Sequence, residues 1–165
     1  MPVVSLRHAG AADRPALERL WLMFRHDMSE FGGQLPNPDG TFRSERLAAA
    51  FESQDWAAYL IIFHERPVGF AIVRCVNGPA RILNSFFVVR GARRAGAGLQ
   101  AVRMVVAQHP GPWEVAFQDD NVVAVQFWRR VATQIAGTAW TEEHRPVPGR
   151  EDLPPDVWIS FTAPG

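Results

Sequence analysis

Phe86–Gln108, FFVVRGARRAGAGLQAVRMVVAQ, runs from an apolar strand through an arginine-glycine turn into a helix without a linker. Helical periodicity resumes at Leu99, Val102, Val105 and Val106, which puts Gly96 and Gly98 at the helix start. Each glycine would cost about 1 kcal/mol against alanine in a helix interior, so the pair answers a structural need. Glycine either supplies a backbone angle closed to other residues or lets a ligand reach the bare main chain. The first turn of a helix also presents unpaired N–H groups and the positive end of the dipole, which suits a phosphate or pyrophosphate. Arg90, Arg93 and Arg94 add charge at the same place. An ordinary basic turn would carry these residues too, so the order of the surrounding elements decides.

A chain of 165 residues is the length of one domain, here 1–165, that buries roughly 70% of its unfolded surface. Hydrophobic residues form 47% of it and charged residues 21%, a globular rather than disordered composition. Lys and Arg number 17 and so do Asp and Glu, so no global charge draws the chain to nucleic acid or an anionic membrane. An anion site must therefore be local. Cys75 is the only cysteine, which forbids an internal disulfide; in the apolar run Phe70 to Val76 it is expected as a buried thiol in a cytoplasmic protein. The start, MPVVSLRHAG, lacks the features of a signal peptide, and the longest apolar run, Trp56 to Phe63, is too short to span a bilayer.

Pro2 to Arg7 alternates as a first or edge strand. A helix follows, with Asp13 as N-cap, Pro15 in its first turn, Leu17, Leu20, Trp21, Phe24 and Met28 on one face, and Gly32 and Gly33 at its end. Phe31 to Gly40 is an exposed loop suited to an acceptor-binding wall, and Arg43 to Phe51 a short packing helix. Trp56 to His64 and Val68 to Val76 are strands joined by a hairpin at Glu65, Arg66 and Pro67, and Ala80 to Val89 completes a meander. After the glycine-led helix, His109 to Pro112 breaks the chain, and Trp113 to Phe117 is expected parallel to Phe86 to Val89. Val122 to Val131 is a helix capped from Asp119, Asp120 or Asn121, with Val123, Phe127 and Val131 apolar. Gly137 to Thr141 and Val157 to Thr162 close the sheet around a long loop, Glu142 to Asp156.

A meander leading into Arg93-Arg94-Ala95-Gly96-Ala97-Gly98, followed by another strand and helix, resembles the GCN5-related N-acetyltransferase (GNAT) superfamily. Arg93, Gly96 and Gly98 fit that family's Gln/Arg-x-x-Gly-x-Gly/Ala pattern, and the likeness in layout runs from Val3 to Phe161. The resemblance implies an α/β fold of the α+β mixed type: a largely antiparallel sheet of about seven strands, a parallel pair at the cofactor site, and about four flanking helices. It implies acetyl-CoA as cofactor, its pyrophosphate on Arg94, Ala95, Gly96, Ala97, Gly98 and Leu99 and its pantetheine arm beside Phe86, Phe87 and Val88. An amide-bearing arm can pair with the free edge of a strand that splays from its neighbour, as peptides do in strand addition.

Family members often carry an Asn at the start of the next helix and, seven residues on, a Tyr that protonates the departing thiolate. Asn121 matches; the Tyr position holds Trp128, whose indole N–H can hydrogen-bond but is a very poor acid. Transfer from a thioester to an amine needs a neutral amine, a braced carbonyl oxygen and a proton route, with no covalent intermediate. Glu114, sharing a strand face with Ala116, is the carboxylate assigned as base; a salt-bridged strand residue reads the same way. Asp27 and Glu30, on the first helix, are candidates to recognise a cationic acceptor, or are surface charges. His26, His64 and His109 lack metal-ligand spacing.

The expected function is acetyl transfer to a primary amine of a small molecule or peptide, with a homodimer compatible with the family. Two rivals stand beside it. Trp128 suits an acyl-CoA-binding sensor without transfer activity. Gly96-x-Gly98-x-x-Ala101 with Asp119 downstream fits a loose dinucleotide fingerprint, although that motif belongs at the first strand-helix unit of a parallel sheet.

Overall fold

A computed structural model describes residues 3–165; Pro2, expected at the start of the first strand, lies outside the described residues. In chain order the elements are β1 (Val4–His8), a 3₁₀ turn (Ala11–Asp13), α1 (Arg14–Gly32), α2 (Glu45–Glu52), β2 (Trp56–Phe63), β3 (Arg66–Arg74), β4 (Arg81–Val88), α3 (Arg90–Arg93), α4 (Ala97–Gln108), β5 (Gly111–Phe117), α5 (Val122–Ala136), β6 (Thr141–Arg145) and β7 (Asp156–Ala163). The seven strands form one sheet in the order β1-β2-β3-β4-β5-β7-β6. Every pairing is antiparallel except that of β4 with β5. The expected mixed sheet is therefore present, with the single-turn α3 as an addition to the four expected helices. No helix among the described residues is long and apolar enough to cross a membrane.

Strand alternation divides the core between the two sheet faces. Leu17, Trp21 and Phe24 of α1 and Leu47 of α2 pack on Leu60, Phe70 and Ile72. On the other face, Val102 and Val105 of α4 and Val131 of α5 cover Tyr59, Trp113 and Ile159. Asp13 does sit at the N-cap position of α1, but its carboxylate accepts from Gly10 N–H (3.0 Å) and Arg7 (2.8 Å) rather than from the helix. The helix stops at Gly33, which takes a left-handed φ of 67°.

Where the elements differ from expectation, tertiary geometry is the reason. The β2–β3 turn is two residues, His64 and Glu65, with φ of 51° and 62°, and Pro67 lies inside β3. This is the primed turn geometry that matches strand twist, made here without its usual glycine. The strand expected over 137–141 begins only at Thr141 and runs on to Arg145, into the segment expected as loop, because it pairs with β7 through Thr141↔Ser160 and Arg145↔Asp156. Val123, expected on the apolar side of α5, is 75% exposed; Trp128, Val131 and Ala132 form the buried stripe. Cys75 sits at the end of β3 with φ 58° and is only half-buried.

The main correction concerns the parallel pair. Arg81, Ile82 and Leu83 pair with Trp113, Glu114 and Val115, whereas Phe86 to Val88 have no partner on β5. The register of β3 against β4 jumps from Ile72↔Ser85 to Val73↔Leu83, which leaves Asn84 as an extra, bulged residue. A bulge bends its strand and ends pairing locally. β4 therefore leaves β5 at Asn84 while β3 still holds its other edge. Gly69 makes that hold close: a Cβ there would lie 2.1 Å from the Phe87 carbonyl oxygen.

Candidate active site

The divergence of β4 from β5 leaves the β5-facing main-chain edge of Ser85 to Val88 without a ladder partner. Their side chains face alternate sides. Phe87 packs into the α1 core and Val88 under Ala97 and Ala101, while Phe86 stacks on Phe127 of α5 at 5.8 Å between ring centroids. Phe86, Phe87 and Val88 thus offer an extended partner main chain on the open side, with Phe86 as the aromatic wall.

The slot leads to the glycine turn. Val89 N–H donates to Val68 O (2.8 Å), α3 turns the chain once, and Gly96 takes φ 76° as the N-cap of α4. That left-handed angle is the structural need foreseen for Gly96. Glycine has no capping side chain, so the first-turn N–H groups of Ala97, Gly98 and Leu99 stay free. α5 differs, because Asn121 Oδ1 accepts from Ala124 N–H at 3.1 Å and closes its own first turn. A Cβ on Gly98 would meet the Phe127 ring at 3.3 Å and Phe86 at 3.9 Å, so Gly98 keeps open the gap between α4, α5 and β4.

The arginines at this turn are unequal. Arg93 Nε donates to Val88 O (2.7 Å) and its Nη2 to Asp27 (2.7 Å); Arg90 also donates to Asp27, at 3.1 Å. Asp27 is 16% exposed. Burial alone would raise its pKa, but the hydrogen bonds and charges of Arg93 and then Arg90 outweigh it and hold it below the usual value. Asp27 therefore braces the turn and is not free to meet a cationic acceptor; Glu30, further along α1, is exposed. Arg94 and Ala95 are exposed, and Arg94 makes no ion pair among the described residues.

Trp128 is 7% exposed and packs edge-on to Phe86 (5.5 Å) and Phe127 (4.8 Å). It closes the α5 side of the slot. On the opposite sheet face, Glu114 shares its side of β5 with Ala116, as strand alternation requires, opposite Ile82 of β4 and Ser160 of β7. Its Oε2 accepts from Arg145 Nη2 at 2.6 Å and from the Ser160 hydroxyl at 3.2 Å. Arg145 also lies over the Trp158 ring at 4.6 Å. Arg145 lies 31 residues from Glu114 in what the sequence presents as loop, and only the β6–β7 pairing signals the contact.

Asp119, the candidate ribose acid, instead lies 3.2 Å from His144. No group of three or more His, Cys, Asp or Glu side chains that could hold a metal occurs among the described residues. A concavity of about 380 Å³ lies beside Trp21 and Phe42, and one of about 320 Å³ lies between the β2–β3 turn and Val89, Gly91 and Ala92 at the start of the glycine turn; neither is lined by Phe86, Phe127 or Trp128. The main-chain edge, the free helix N-terminus and the aromatic wall together can hold a long molecule with an anionic end and an amide-bearing arm.

No protein-family model and no curated protein sequence matches the chain. Solved structures do. A GNAT-family acetyltransferase of Staphylococcus aureus Mu50 superposes with a TM-score of 0.65 at 16% identity, covering 97% of this chain and 99% of that one. The spermidine N-acetyltransferase of Vibrio cholerae, solved with CoA and spermine, gives 0.69 at 10% identity over 97% and 95%. The ribosomal-protein-S18-alanine N-acetyltransferase of Escherichia coli gives 0.63 at 12% identity over 99% and 96%. The seven-stranded mixed sheet with its single parallel pair thus has the fold of the GCN5-related N-acetyltransferases.

Proposed function

We propose that the protein is an acetyl-CoA-dependent N-acetyltransferase acting on a primary amine. One observation carries this reading: the bulge at Asn84 opens a main-chain edge that leads to the uncapped N-terminus of α4. The pyrophosphate of acetyl-CoA would rest on the amides of Ala97 to Leu99 beside Arg94, with Asp27 and Val88 O holding Arg93 in place. The free edge of Ser85 to Val88 would pair with the pantetheine amides and bring the thioester to the divergence of the strands. The V. cholerae neighbour, solved with CoA, supports the same cofactor.

An amine entering from the α1/α2 face would attack the thioester carbon directly. The C–N bond forms, the C–S bond breaks, the amine proton leaves to water and the thiol departs as thiolate. A thiolate is a tolerable leaving group near neutral pH, so Trp128 need not be an acid. It walls the slot. Asn121 orders α5 by capping it, and Glu114, tied to Arg145 and Ser160, shapes the acceptor side rather than acting as a free base.

Calorimetry with acetyl-CoA and NADH, followed by thiol release across a panel of amines, tests the reading, with Gly96→Glu as the binding-dead control. Acetyl-CoA binding with turnover of at least one amine is expected. NADH binding without a response to acetyl-CoA overturns the cofactor, and binding without turnover across the panel favours the sensor.

A further inference from the structure

β4 carries two polar residues, Asn84 and Ser85, between Ile82-Leu83 and Phe86-Phe87-Val88. Asparagine is depleted in strands, and a hydroxyl inside a core costs stability unless it is hydrogen-bonded, so the pair answers a local need. Among the described residues the core holds no charged or non-aromatic polar residue except Ser85, which is 3% exposed. Its hydroxyl donates to Asn84 Oδ1 at 3.2 Å, the one side-chain hydrogen bond that either residue makes among the described residues.

Pairing shows where the two residues stand. Leu83 is the partner of Val73, in the α4/α5 core, and Ser85 the partner of Ile72, in the α1/α2 core; Asn84 is the extra residue between them. Directly opposed residues share a face, so Ser85 lies on the α1/α2 side, and the Asn84 amide that meets its hydroxyl lies on that side of the strand too. Glu114, opposite Ile82, is on the same side. The last parallel pair is Leu83↔Val115, which makes Asn84 the first β4 residue beyond the ladder with β5. It stands at the fork, at the end of the free edge of Ser85 to Val88.

The Ser85 bond also decides which end of the amide is free. A carboxamide has an accepting oxygen and a nitrogen that only donates. Oδ1 is held by Ser85, while Nδ2 has no partner among the described residues. Nor is Nδ2 sealed in: the unpartnered side-chain atoms cut off from solvent among the described residues are the Nε atoms of Arg25, Arg74 and Arg81. Asn84 itself is half-buried, so its donor stays open to a molecule lying in the fork. Such a donor cannot take a proton from an amine, and bonding to the amine lone pair would block attack. What it can meet productively is a carbonyl oxygen on which negative charge grows.

We propose that Asn84 is a catalytic residue whose Nδ2 donates to the thioester carbonyl oxygen of acetyl-CoA, and that Ser85 is the positioning residue that holds its amide; this rests on the acetyltransferase reading. As the amine lone pair forms the C–N bond, the carbonyl π pair moves onto oxygen and strengthens the bond from Nδ2. That pair returns as the C–S bond breaks, sulfur leaves with its bonding electrons as thiolate and the amine proton passes to water. The products are the N-acetyl amine and coenzyme A. A donor already fixed in place needs no reorganisation at the moment of reaction, which gives the buried Ser85 hydroxyl its purpose.

Asn84→Asp keeps an oxygen for the Ser85 hydroxyl but, ionised, has no donor, whereas Asn84→Ala removes both. Each should lower kcat at least about a hundredfold, the loss that follows removal of one oxyanion donor, while the KM for the amine and the dissociation constant of CoA stay unchanged. Ser85→Ala should fall between these variants and the wild type. A purely structural role predicts otherwise: Asp restores the wild-type rate, and in Asn84→Ala kcat falls only together with the melting temperature. A second arm needs no turnover. Infrared spectra of bound acetyl-CoA, isotope-labelled in its acetyl carbonyl, should show the stretch at lower frequency in the wild type than in either Asn84 variant. Equal stretches, or a loss of kcat below about tenfold in both variants, overturn the proposal and leave the acetyltransferase reading standing. If the wild type acetylates no amine but its carbonyl stretch depends on Asn84, the contact stands and the acetyltransferase reading fails; if acetyl-CoA does not bind, both fail.

Discussion

Gly96 and Gly98 are two residues apart but are glycine for different reasons, and alanine at each separates backbone demand from ligand access. At Gly96 the φ of 76° is left-handed, and a Cβ would meet nothing within 4 Å. Gly96→Ala therefore gains no contact and loses about 1–2 kcal/mol to the left-handed backbone. For a chain of this length that lowers the melting temperature by roughly 2–8 °C. Gly98 has ordinary helical geometry, so alanine there gains up to about 1 kcal/mol of helix propensity. Against this stands the Phe127 ring at 3.3 Å, which must give by a few tenths of an ångström. Because Phe127 is half-buried and can turn, Gly98→Ala should be as stable as the wild type or slightly more so. Its new methyl nevertheless lies in the gap between α4, α5 and β4 through which the cofactor is proposed to run. Calorimetry should show acetyl-CoA binding weakened at least tenfold, about 1.4 kcal/mol. A stable Gly98→Ala protein that binds acetyl-CoA with wild-type affinity would refute the reasoning that the bare main chain is there for the cofactor.

Gly69→Ala forces a methyl to 2.1 Å from the Phe87 oxygen, so β3 and β4 must separate; urea unfolding should show a loss of about 3 kcal/mol or more, and a smaller loss means the strands are less tightly held. His109 touches the Tyr59 hydroxyl at 2.8 Å, and burial, then Arg81 and His8, hold its pKa below 6.5. The folded state thus takes up the His109 proton less readily than the unfolded chain. Stability is full above about pH 6.5 and falls as pH drops through that value toward the folded pKa, and the melting curve of His109→Gln should lose this part of the slope. Glu114→Gln breaks the 2.6 Å contact with Arg145 but removes no base; kcat should fall less than about tenfold with the alkaline and acid limbs of the rate profile unmoved, and loss of one limb would restore Glu114 as the base.

How much of this was legible in the sequence depended on the range of the interaction. The glycine turn was, because the chirality of one backbone position and the period of the following helix are local. Asn121 as the cap of α5 was legible for the same reason. The parallel pairing of β4 with β5 was expected, but about five residues too far along β4, at Phe86 rather than Arg81, because the bulge at Asn84 arises between strands and has no signature within one of them. The His64–Glu65 turn lacks the glycine that normally announces its geometry. Asp27 looked free on α1 because Arg90 and Arg93, which take both its oxygens, are 63 and 66 residues away. Arg145 was hidden more deeply, since a strand of TEEHR has no apolar alternation and exists only because β7 pairs with it.

The proposed reaction divides between the two faces of the sheet at one bulge. On the α4/α5 face the requirements belong to the cofactor: free amides, a slot without side-chain obstruction and a wall of Phe86, Phe127 and Trp128 that keeps water from the thioester. On the α1/α2 face they belong to the amine. There the carboxylate nearest the divergence is bound to Arg145 and Ser160, which would be a poor arrangement if proton removal depended on it. The amine proton can instead pass to water, and a thiolate is a tolerable leaving group near neutral pH, so the proposed step requires neither a general base at Glu114 nor a tyrosine at position 128.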